Sequence, residues 1–306
     1  MMEREQLFVE PALAGPGGVR DPLHFLLALR KFARRRPVGA FCGLIIVALL
    51  AVAIAGPLVA RQDPLITHTV VKLQPPSAAH WFGTDDLGRD VFSRVVYGSR
   101  VSLGIAFTGT AIAVSIGVAL ALISGYFGGT TDMVIQRGVD AVQAIPGLLI
   151  ILTAVTILKP TMTNLILLLG IQAAFGQSRI VRSQVLTVKN MPFVDASRCT
   201  GAGHVRIMLR DILPNVLSLA IVVGSFALVQ ILLAESTLSF LGFGVQPPDP
   251  SWGQMLSGSA RPFMVRAPWM GLAPGIILSI TVLCFNLFGD TLRDEWDPRL
   301  RGSKAG

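Results

Sequence analysis

The chain has 306 residues, of which 52% are hydrophobic and only 14% are charged, and its formal net charge is +8. Soluble domains carry roughly 25% charged residues, so this composition indicates an integral membrane protein. Its basic residues lie beside apolar segments and form no patch interleaved with aromatic side chains, which excludes a typical nucleic-acid-binding protein. The three cysteines and four histidines are scattered, so neither a disulfide framework nor a metal centre is predicted.

The N-terminal segment, residues 1–37, is polar and ends in a basic cluster, Arg30, Lys31, Arg34, Arg35 and Arg36. The apolar run at 38–60 is long enough to cross a bilayer core and exceeds the apolar region of a usual signal peptide. We therefore predict an uncleaved first span. Because basic residues accumulate on the cytoplasmic side, the cluster places the N-terminus in the cytoplasm.

Segment 61–98 is then expected on the exterior, where it begins as a proline-containing loop. Helix-compatible spacing favours an amphipathic interfacial helix, with an ordinary solvated loop as the alternative, over Asp90, Val91, Phe92, Arg94 and Val95. Asp85, Asp86 and Asp90 form a small acidic group that could bind a cation. Since Arg89 lies among them, a salt-linked turn is the favoured interpretation.

Five more apolar segments predict an all-α membrane protein with six transmembrane helices, 38–60, Val101–Phe127, Gly138–Leu158, Asn164–Val181, Val216–Leu241 and Met270–Asp290. Six crossings place the C-terminus in the cytoplasm as well. The third segment is interrupted at Pro146–Gly147, which fits a hinge, a cavity wall or a bend made for packing. The remaining domains are a five-helix core at 99–290 and a cytoplasmic tail at 291–306.

Small residues recur every fourth position along the second predicted span, and we call them the small-residue row: Gly109, Ala113, Gly117, Ala121 and Gly125. They lie on one helix face and permit close approach of another helix. The row could form the seam with a partner subunit, or it could pack inside the chain's own bundle. Packing inside the bundle is favoured, because every multi-span bundle needs such a face.

Four polar side chains within the predicted spans are candidates for a translocation path: Glu235, Gln230, Gln172 and Asn286. A carboxylate inside a membrane is costly and usually faces a cavity or a partner. Glu235 lies near the outer end of its helix, where partial hydration would reduce this cost. Hydrogen bonding that holds helices together is the alternative role for all four.

A hydrophilic stretch between the fourth and fifth spans, residues 182–214, is called here the polar loop. Two helix-compatible pieces flank a break at Gly201–Gly203, and Pro214 suits the first turn of the next helix. Lipid cannot satisfy such a segment, so it must face an aqueous partner. The sequence contains no phosphate-binding loop, nucleophile elbow or zinc-protease motif. It therefore predicts a non-catalytic subunit that cannot hydrolyse ATP itself.

The polar loop resembles the coupling loop, or EAA loop, of ABC importer permeases. Asp195-Ala196-Ser197 stands where Glu-Ala-Ala is usual, Gly201 follows at the family's spacing, and Ile212-Leu213-Pro214 closes the stretch. Asp keeps the charge of the usual Glu, Ser replaces the second Ala, and Ile lies one position nearer to Leu-Pro than in the general pattern.

Three further stretches resemble the C-type subunit of dipeptide, oligopeptide and nickel permeases. They are HWFGTDDLGRDVFSRVVYGSRVSL at 80–103, ESTLSFLGFGVQPPDPSWGQML at 235–256 and LRDEWDPRLR at 292–301. The resemblance implies a type I ABC importer permease fold in a bacterial inner membrane.

The same resemblance implies several partners: a second, B-type permease subunit, one or two cytoplasmic ATP-binding subunits, and an exterior substrate-binding protein. ATP and magnesium would be bound by the ATPase subunits, and this chain would hold no cofactor. The residues implied to meet an ATPase are Asp195, Ala196, Ser197, Arg198, Gly201, His204, Arg206, Leu213 and Pro214.

The expected cargo is a dipeptide or an oligopeptide, with nickel or another small solute as the alternative. A stand-alone secondary transporter belongs to a different functional class. It is less favoured, because the sequence shows no inverted repeats and few charges within its spans that could couple transport to an ion.

Overall fold

The computed structural model describes residues 33, 34, 36–257, 262, 263 and 265–296. Most of the predicted N-terminal segment and of the predicted tail, including most of the basic cluster, lies outside the described residues. The described part of the chain is helical, with a single isolated bridge between Thr84 and Asp90. The all-α prediction is therefore confirmed.

In chain order, the helices are α1 (Pro37–Ile54), α2 (Gly56–Val59), α3 (Val91–Phe127), α4 (Gly129–Gln143), α5 (Gly147–Leu158), α6 (Met162–Lys189), α7 (Pro192–Cys199), α8 (His204–Arg206), α9 (Leu213–Phe240), α10 (Trp252–Met255) and α11 (Trp269–Trp296). A 3₁₀ turn covers Thr69–Val71. A π-helical turn at Ile207–Ile212 joins α8 to α9, so that His204–Phe240 is one continuous helix of 37 residues.

The six predicted spans correspond to five long helices and one bent pair within the described residues. α1, α3, α6, the helix His204–Phe240 and α11 are each long and apolar enough to cross a membrane. α4 and α5 meet at 81° across residues 144–146. α5 has 12 residues and is about 18 Å long, too short alone for a core of about 30 Å. The sixth crossing therefore exists only if both arms count as one broken span.

The start of α3 differs from the sequence-based expectation. Residues 91–98 are its first two turns, so the predicted domain boundary at residue 98 falls inside a helix, and these residues do not form a helix of their own. Val91 and Val95 pack against Met255 and Met270 instead of against lipid headgroups. Asp90 caps the helix by accepting a hydrogen bond from the Ser93 backbone N–H at 2.8 Å.

The acidic group before α3 forms a salt-linked turn, as favoured from the sequence. The Asp85 carboxylate pairs with the Arg89 side chain at 2.7 Å, and Asp90 contacts the His80 ring nitrogen at 3.0 Å. Burial, and then the adjacent Asp85 carboxylate, raise the pKa of Asp86. No cluster of three or more metal-ligating side chains occurs in the part of the chain that the structure describes.

The small-residue row packs inside this chain, against α6 and α9. A Cβ added at Gly117 would lie 3.1 Å from the Ala174 carbonyl oxygen, and one at Gly125 would lie 2.7 Å from Val185 Cγ1. Both alanines of the row are fully buried. The favoured interpretation of the row is thus confirmed, because its face is occupied by the chain's own helices.

We expect Gly170→Ala to destabilise the chain by about 1–3 kcal/mol, because an added methyl group would meet the Gly109 carbonyl oxygen at 2.8 Å and Ile112 Cβ at 3.0 Å. Gly104→Ala is the matched control on α3, since its nearest neighbour would be Met162 Cε at 3.8 Å. The thermal unfolding midpoint of the purified protein in detergent measures the stability of both variants. Equal midpoints for the two variants would contradict this packing.

Ion pairs join α4 to α6. Arg182 of α6 contacts Asp132 of α4 through both Nε, at 2.6 Å, and Nη2, and Arg179 pairs with Asp140. Residues 129–137 lie before the predicted third span, yet they are helical and belong to α4, which carries both carboxylates. The basic residues at the end of α6 therefore have structural partners in addition to any effect on membrane topology.

Candidate functional site

Residues 182–189 of the predicted polar loop are the last turns of α6, so the fourth predicted span ends later than Val181. The rest of the polar loop is attached to the helix bundle by three apolar side chains. Val194 of α7 and Ile207 and Ile212 of the π-helical turn are at most 1% exposed. They pack in one cluster with side chains from the ends of α3, α6 and α9, namely Tyr126, Val181, Val185, Val188 and Val216. Because the same cluster includes three long helices, a displacement of the loop must move or deform them.

Most of α7 has no packing partner within the described chain. Val194 is its only buried residue, whereas Asp195, Ala196, Arg198 and Cys199 are exposed. Ser197 is half-buried. Arg198 donates to the Asp195 carboxylate at 2.8 Å in an i, i+3 ion pair on the exposed surface. Pro192 and Phe193 at the start of the helix are exposed as well. The helix therefore presents a mixed polar and apolar surface to solvent, and Val194 is its buried anchor.

The break predicted at Gly201–Gly203 is a Schellman turn. Gly201 has φ +76°, and its N–H donates to the Arg198 carbonyl at 3.0 Å. The Ala202 N–H reaches back to the Ser197 carbonyl, also at 3.0 Å. Glycine suits this left-handed position because it has no Cβ. The turn sets the direction in which the chain leaves α7.

His204 connects the second half of the polar loop to α3. Its Nδ1 lies 2.8 Å from the Tyr126 hydroxyl, and its ring lies 5.6 Å from that of Tyr126 and 5.8 Å from that of Phe127. Lys189 at the end of α6 donates to the Gly125 carbonyl at 3.3 Å. Sequence reasoning missed Tyr126 and Lys189, although an aromatic pair at the end of a span was a visible signal.

The remaining predicted loop residues lie at the entry to α9. Arg206 and Pro214 are exposed, and Leu213 is half-buried. Proline lacks the N–H that would bond to the Arg210 carbonyl, and the π-helical turn ends two residues before it. Such turns occur frequently at functional sites. Here the turn continues into a helix of 37 residues, about 55 Å long, that crosses the bundle.

The four candidates for the translocation path lie in different environments. Glu235 is fully buried, against the expectation of partial hydration, and is hydrogen-bonded to serines. Gln230 of the same helix is exposed, while Gln172 of α6 and Asn286 of α11 are half-buried. A separation of five residues puts Glu235 and Gln230 on different faces of α9. The structure favours the hydrogen-bonding role for Glu235, and a path role for the four stays a prediction.

Comparison with known protein families shows to which family the chain belongs. Residues 113–302, more than half of its length, match the family described as binding-protein-dependent transport system inner membrane component. The chain belongs to this family. It is an inner-membrane protein of the ABC importer permease class, and the resemblance and localisation predicted from its motifs are confirmed.

Individual relatives agree with this assignment. The chain is 41% identical over 263 residues to the dipeptide transport system permease protein DppC of Alkalihalophilus pseudofirmus, covering 86% of each chain. It is 39% identical over 270 residues to DppC of Haemophilus influenzae, covering 86% of this chain and 91% of the relative. It is 37% identical over 273 residues to the glutathione transport system permease protein GsiD of Pectobacterium atrosepticum, covering 89% and 90% of the two chains.

A solved structure supports the fold alone. The crystal structure of an amino acid ABC transporter with histidines superposes on this permease with a TM-score of 0.50 at 16% identity. The match covers 67% of this chain and 94% of the other. The all-helical membrane fold is therefore shared with a known ABC transporter chain.

Proposed function

We propose that this permease is one of two membrane subunits in an ATP-driven importer of dipeptides or short oligopeptides. The names of its relatives, which include dipeptide and glutathione transport permeases, support a peptide as cargo. The observation that carries the proposal is the polar loop, whose free short helix rests on an anchor shared with three long helices. This arrangement suits a part that receives force from another protein.

The proposed assembly pairs this chain with a second permease subunit, one or two cytoplasmic ATPase subunits and an exterior substrate-binding protein. Both termini and the polar loop lie in the cytoplasm, and the loop between α9 and α11 lies on the exterior. The chain is not an enzyme, since ATP and magnesium are bound by the ATPase subunits. Its own residues convert movement into a change of access.

The proposed mechanism begins at α7, which docks on an ATPase through its exposed surface around Asp195 and Arg198. When the ATPases close on ATP, α7 moves with them. Its anchor transmits the movement to the π-helical turn, and the hydrogen bond between His204 and Tyr126 transmits it to α3. Because packed helices have a few discrete arrangements, the result is a switch between inward and outward access.

We expect Asp195→Arg to reduce ATP-driven uptake of a labelled dipeptide at least about tenfold, since it reverses the charge at an exposed docking position and places two cations three residues apart on α7. Asp195→Glu keeps the charge and is the matched control, with uptake near wild type. Both rates are measured in proteoliposomes at equal amounts of assembled transporter. Normal uptake by the arginine variant would argue against the docking role.

The function itself is tested by reconstitution. The complete set of subunits in proteoliposomes should accumulate a labelled dipeptide only when ATP and the binding protein are both present. Uptake by this chain alone, without an ATPase, would contradict the proposal and indicate a secondary transporter. ATP-dependent uptake of nickel but of no peptide would support the alternative cargo.

A further inference from the structure

The side of the bundle opposite the polar loop contains a hydrogen-bond network around Glu235. We call residues 241–257, which follow α9 and include α10, the distal loop. Ser239 donates to Glu235 Oε1 at 2.8 Å, and Ser102 of α3 donates to Oε2 at 3.4 Å. Ser236 also donates to Oε2, at 3.4 Å. All four side chains are buried, so the carboxylate is an acceptor shared by hydroxyl groups on two helices.

Two of these serines also hold the backbone of the distal loop. Ser239 Oγ accepts a hydrogen bond from the Val245 N–H at 3.1 Å, and Ser102 Oγ accepts one from the Trp252 N–H at 3.2 Å. Each hydroxyl group donates its proton to Glu235 and accepts a hydrogen bond from a backbone N–H of the loop with a lone pair. The network therefore has two arms, one at Val245 and one at Trp252, that meet at one carboxylate.

Close packing supports both arms. A Cβ at Gly253 would lie 2.5 Å from Ser236 Cα. Trp252 is fully buried, and its Nε1 donates to the Val95 carbonyl of α3 at 3.1 Å. This part of the distal loop thus lies directly on α3 and α9. Buried hydrogen bonds are strong when satisfied and costly when one partner is lost.

The same two helices are joined at the other end of the bundle by the contact between His204 and Tyr126. The helix His204–Phe240 is continuous, so it connects the polar loop to Glu235 without a break other than the π-helical turn. α3 and this helix are therefore connected at both ends, and the distal loop is attached to both of them.

We propose that Glu235 is a positioning residue, whose buried carboxylate fixes the distal loop to α3 and α9 through Ser102 and Ser239. The loop then moves with these helices as one body when the polar loop is displaced. A consequence, which rests on the proposed function, is that Glu235 keeps the distal loop in the shape that the exterior substrate-binding protein meets. The carboxylate acts here through the loop and does not contact cargo.

Hydrogen–deuterium exchange of the full chain in the assembled transporter tests the attachment. Glu235→Ala should raise exchange in peptides from the distal loop about tenfold or more, while peptides from the middle of α3 stay protected. Ser239→Ala should release the part around Val245, and Ser102→Ala the part around Trp252. Glu235→Gln keeps one acceptor oxygen and should give an intermediate increase.

Thr237→Ala is the matched control, because the Thr237 hydroxyl lies on the same turn and, among the residues that the structure describes, bonds to the Leu233 carbonyl of its own helix alone. Its exchange should equal that of wild type. Exchange in both serine variants equal to wild type would overturn the proposal, and these two variants decide the question even if Glu235→Ala does not fold.

A second readout tests the consequence for docking. In nanodiscs, the concentration of binding protein that half-saturates ATPase stimulation should rise several-fold for Glu235→Ala and partly recover for Glu235→Gln, with a similar maximal rate. An unchanged half-saturation beside increased exchange would overturn the docking consequence alone. Failure of the wild-type transporter to respond to any binding protein would instead count against the proposed function, since exchange does not depend on it.

Discussion

Gly201→Pro is expected to abolish ATP-driven uptake while the chain still inserts and assembles. Proline fixes φ near −65°, whereas Gly201 has φ +76°, and proline would also remove the N–H that bonds to the Arg198 carbonyl. The Schellman turn cannot form, at a cost of about 3 kcal/mol or more. The turn directs the chain from α7 to α8. Without it, the docking surface of α7 is no longer held in a fixed orientation relative to Ile207 and Ile212.

A matched pair of alanine variants distinguishes the effect of backbone strain at this turn from the effect of added side-chain bulk. Within the described part of the chain, and apart from the adjacent residues, no atom lies within 4 Å of an added Cβ at either Gly201 or Gly203, but of the two only Gly201 has a positive φ. Gly201→Ala should cost about 1–2 kcal/mol of turn stability and reduce coupling, and Gly203→Ala should behave like wild type. Uptake per ATP hydrolysed, measured in the same proteoliposomes, gives the coupling ratio. Normal coupling in Gly201→Pro would contradict the role assigned to the turn.

Val194→Asp is expected to detach α7 from the bundle and to lower stability by about 3–5 kcal/mol, because it buries a carboxylate with no partner in an apolar cluster. Uptake should be lost with it. The matched control is Val205→Asp, which makes the same substitution in the same loop. The Val205 side chain is 64% exposed, whereas that of Val194 is 0% exposed.

The unfolding midpoint of the purified chain distinguishes the two valine variants. The free energy of unfolding of Val205→Asp should lie within about 0.5 kcal/mol of the wild-type value, as is usual for substitutions at exposed positions. A similar loss of stability in both variants would mean that the cluster under α7 does not anchor it.

The long apolar segments were predictable because length and hydropathy alone define them. The polar loop was predictable for the complementary reason that a charged segment between spans must lie outside lipid. Its internal geometry followed from two signals, glycine at the break and proline at the entry to α9. The structure adds what these signals could not show, namely that Val194, Ile207 and Ile212 share one buried cluster.

Local patterns failed where a tertiary contact decided the outcome. Residues 129–137 lie outside every predicted span, yet they belong to α4, whose Asp132 and Asp140 carboxylates pair with Arg182 and Arg179, 50 and 39 residues later in the chain. The start of α3 looked amphipathic and interfacial, but its apolar face is covered by α10 and α11. In both cases the deciding partner is remote in sequence, so no periodicity within the segment reveals it.

Glu235 illustrates the same limit for a single side chain. Its position near a helix end suggested partial hydration, whereas the structure surrounds it with serines from two helices. Ser236 and Ser239 are its neighbours in sequence and were a usable signal. Ser102 lies 133 residues away in the sequence, so it gave no usable signal.

The central claim, that the polar loop meets an ATPase subunit, is tested most directly at Cys199. This native cysteine is exposed on α7, four residues after Asp195 and on the same helix face, whereas Cys42 and Cys284 are buried. A benzophenone maleimide attached to Cys199 in the assembled transporter should cross-link to an ATPase subunit on illumination, and Cys199→Ser should abolish the adduct. Cross-links to lipid or to the second permease alone, with the ATPase present and unlabelled, would contradict the account.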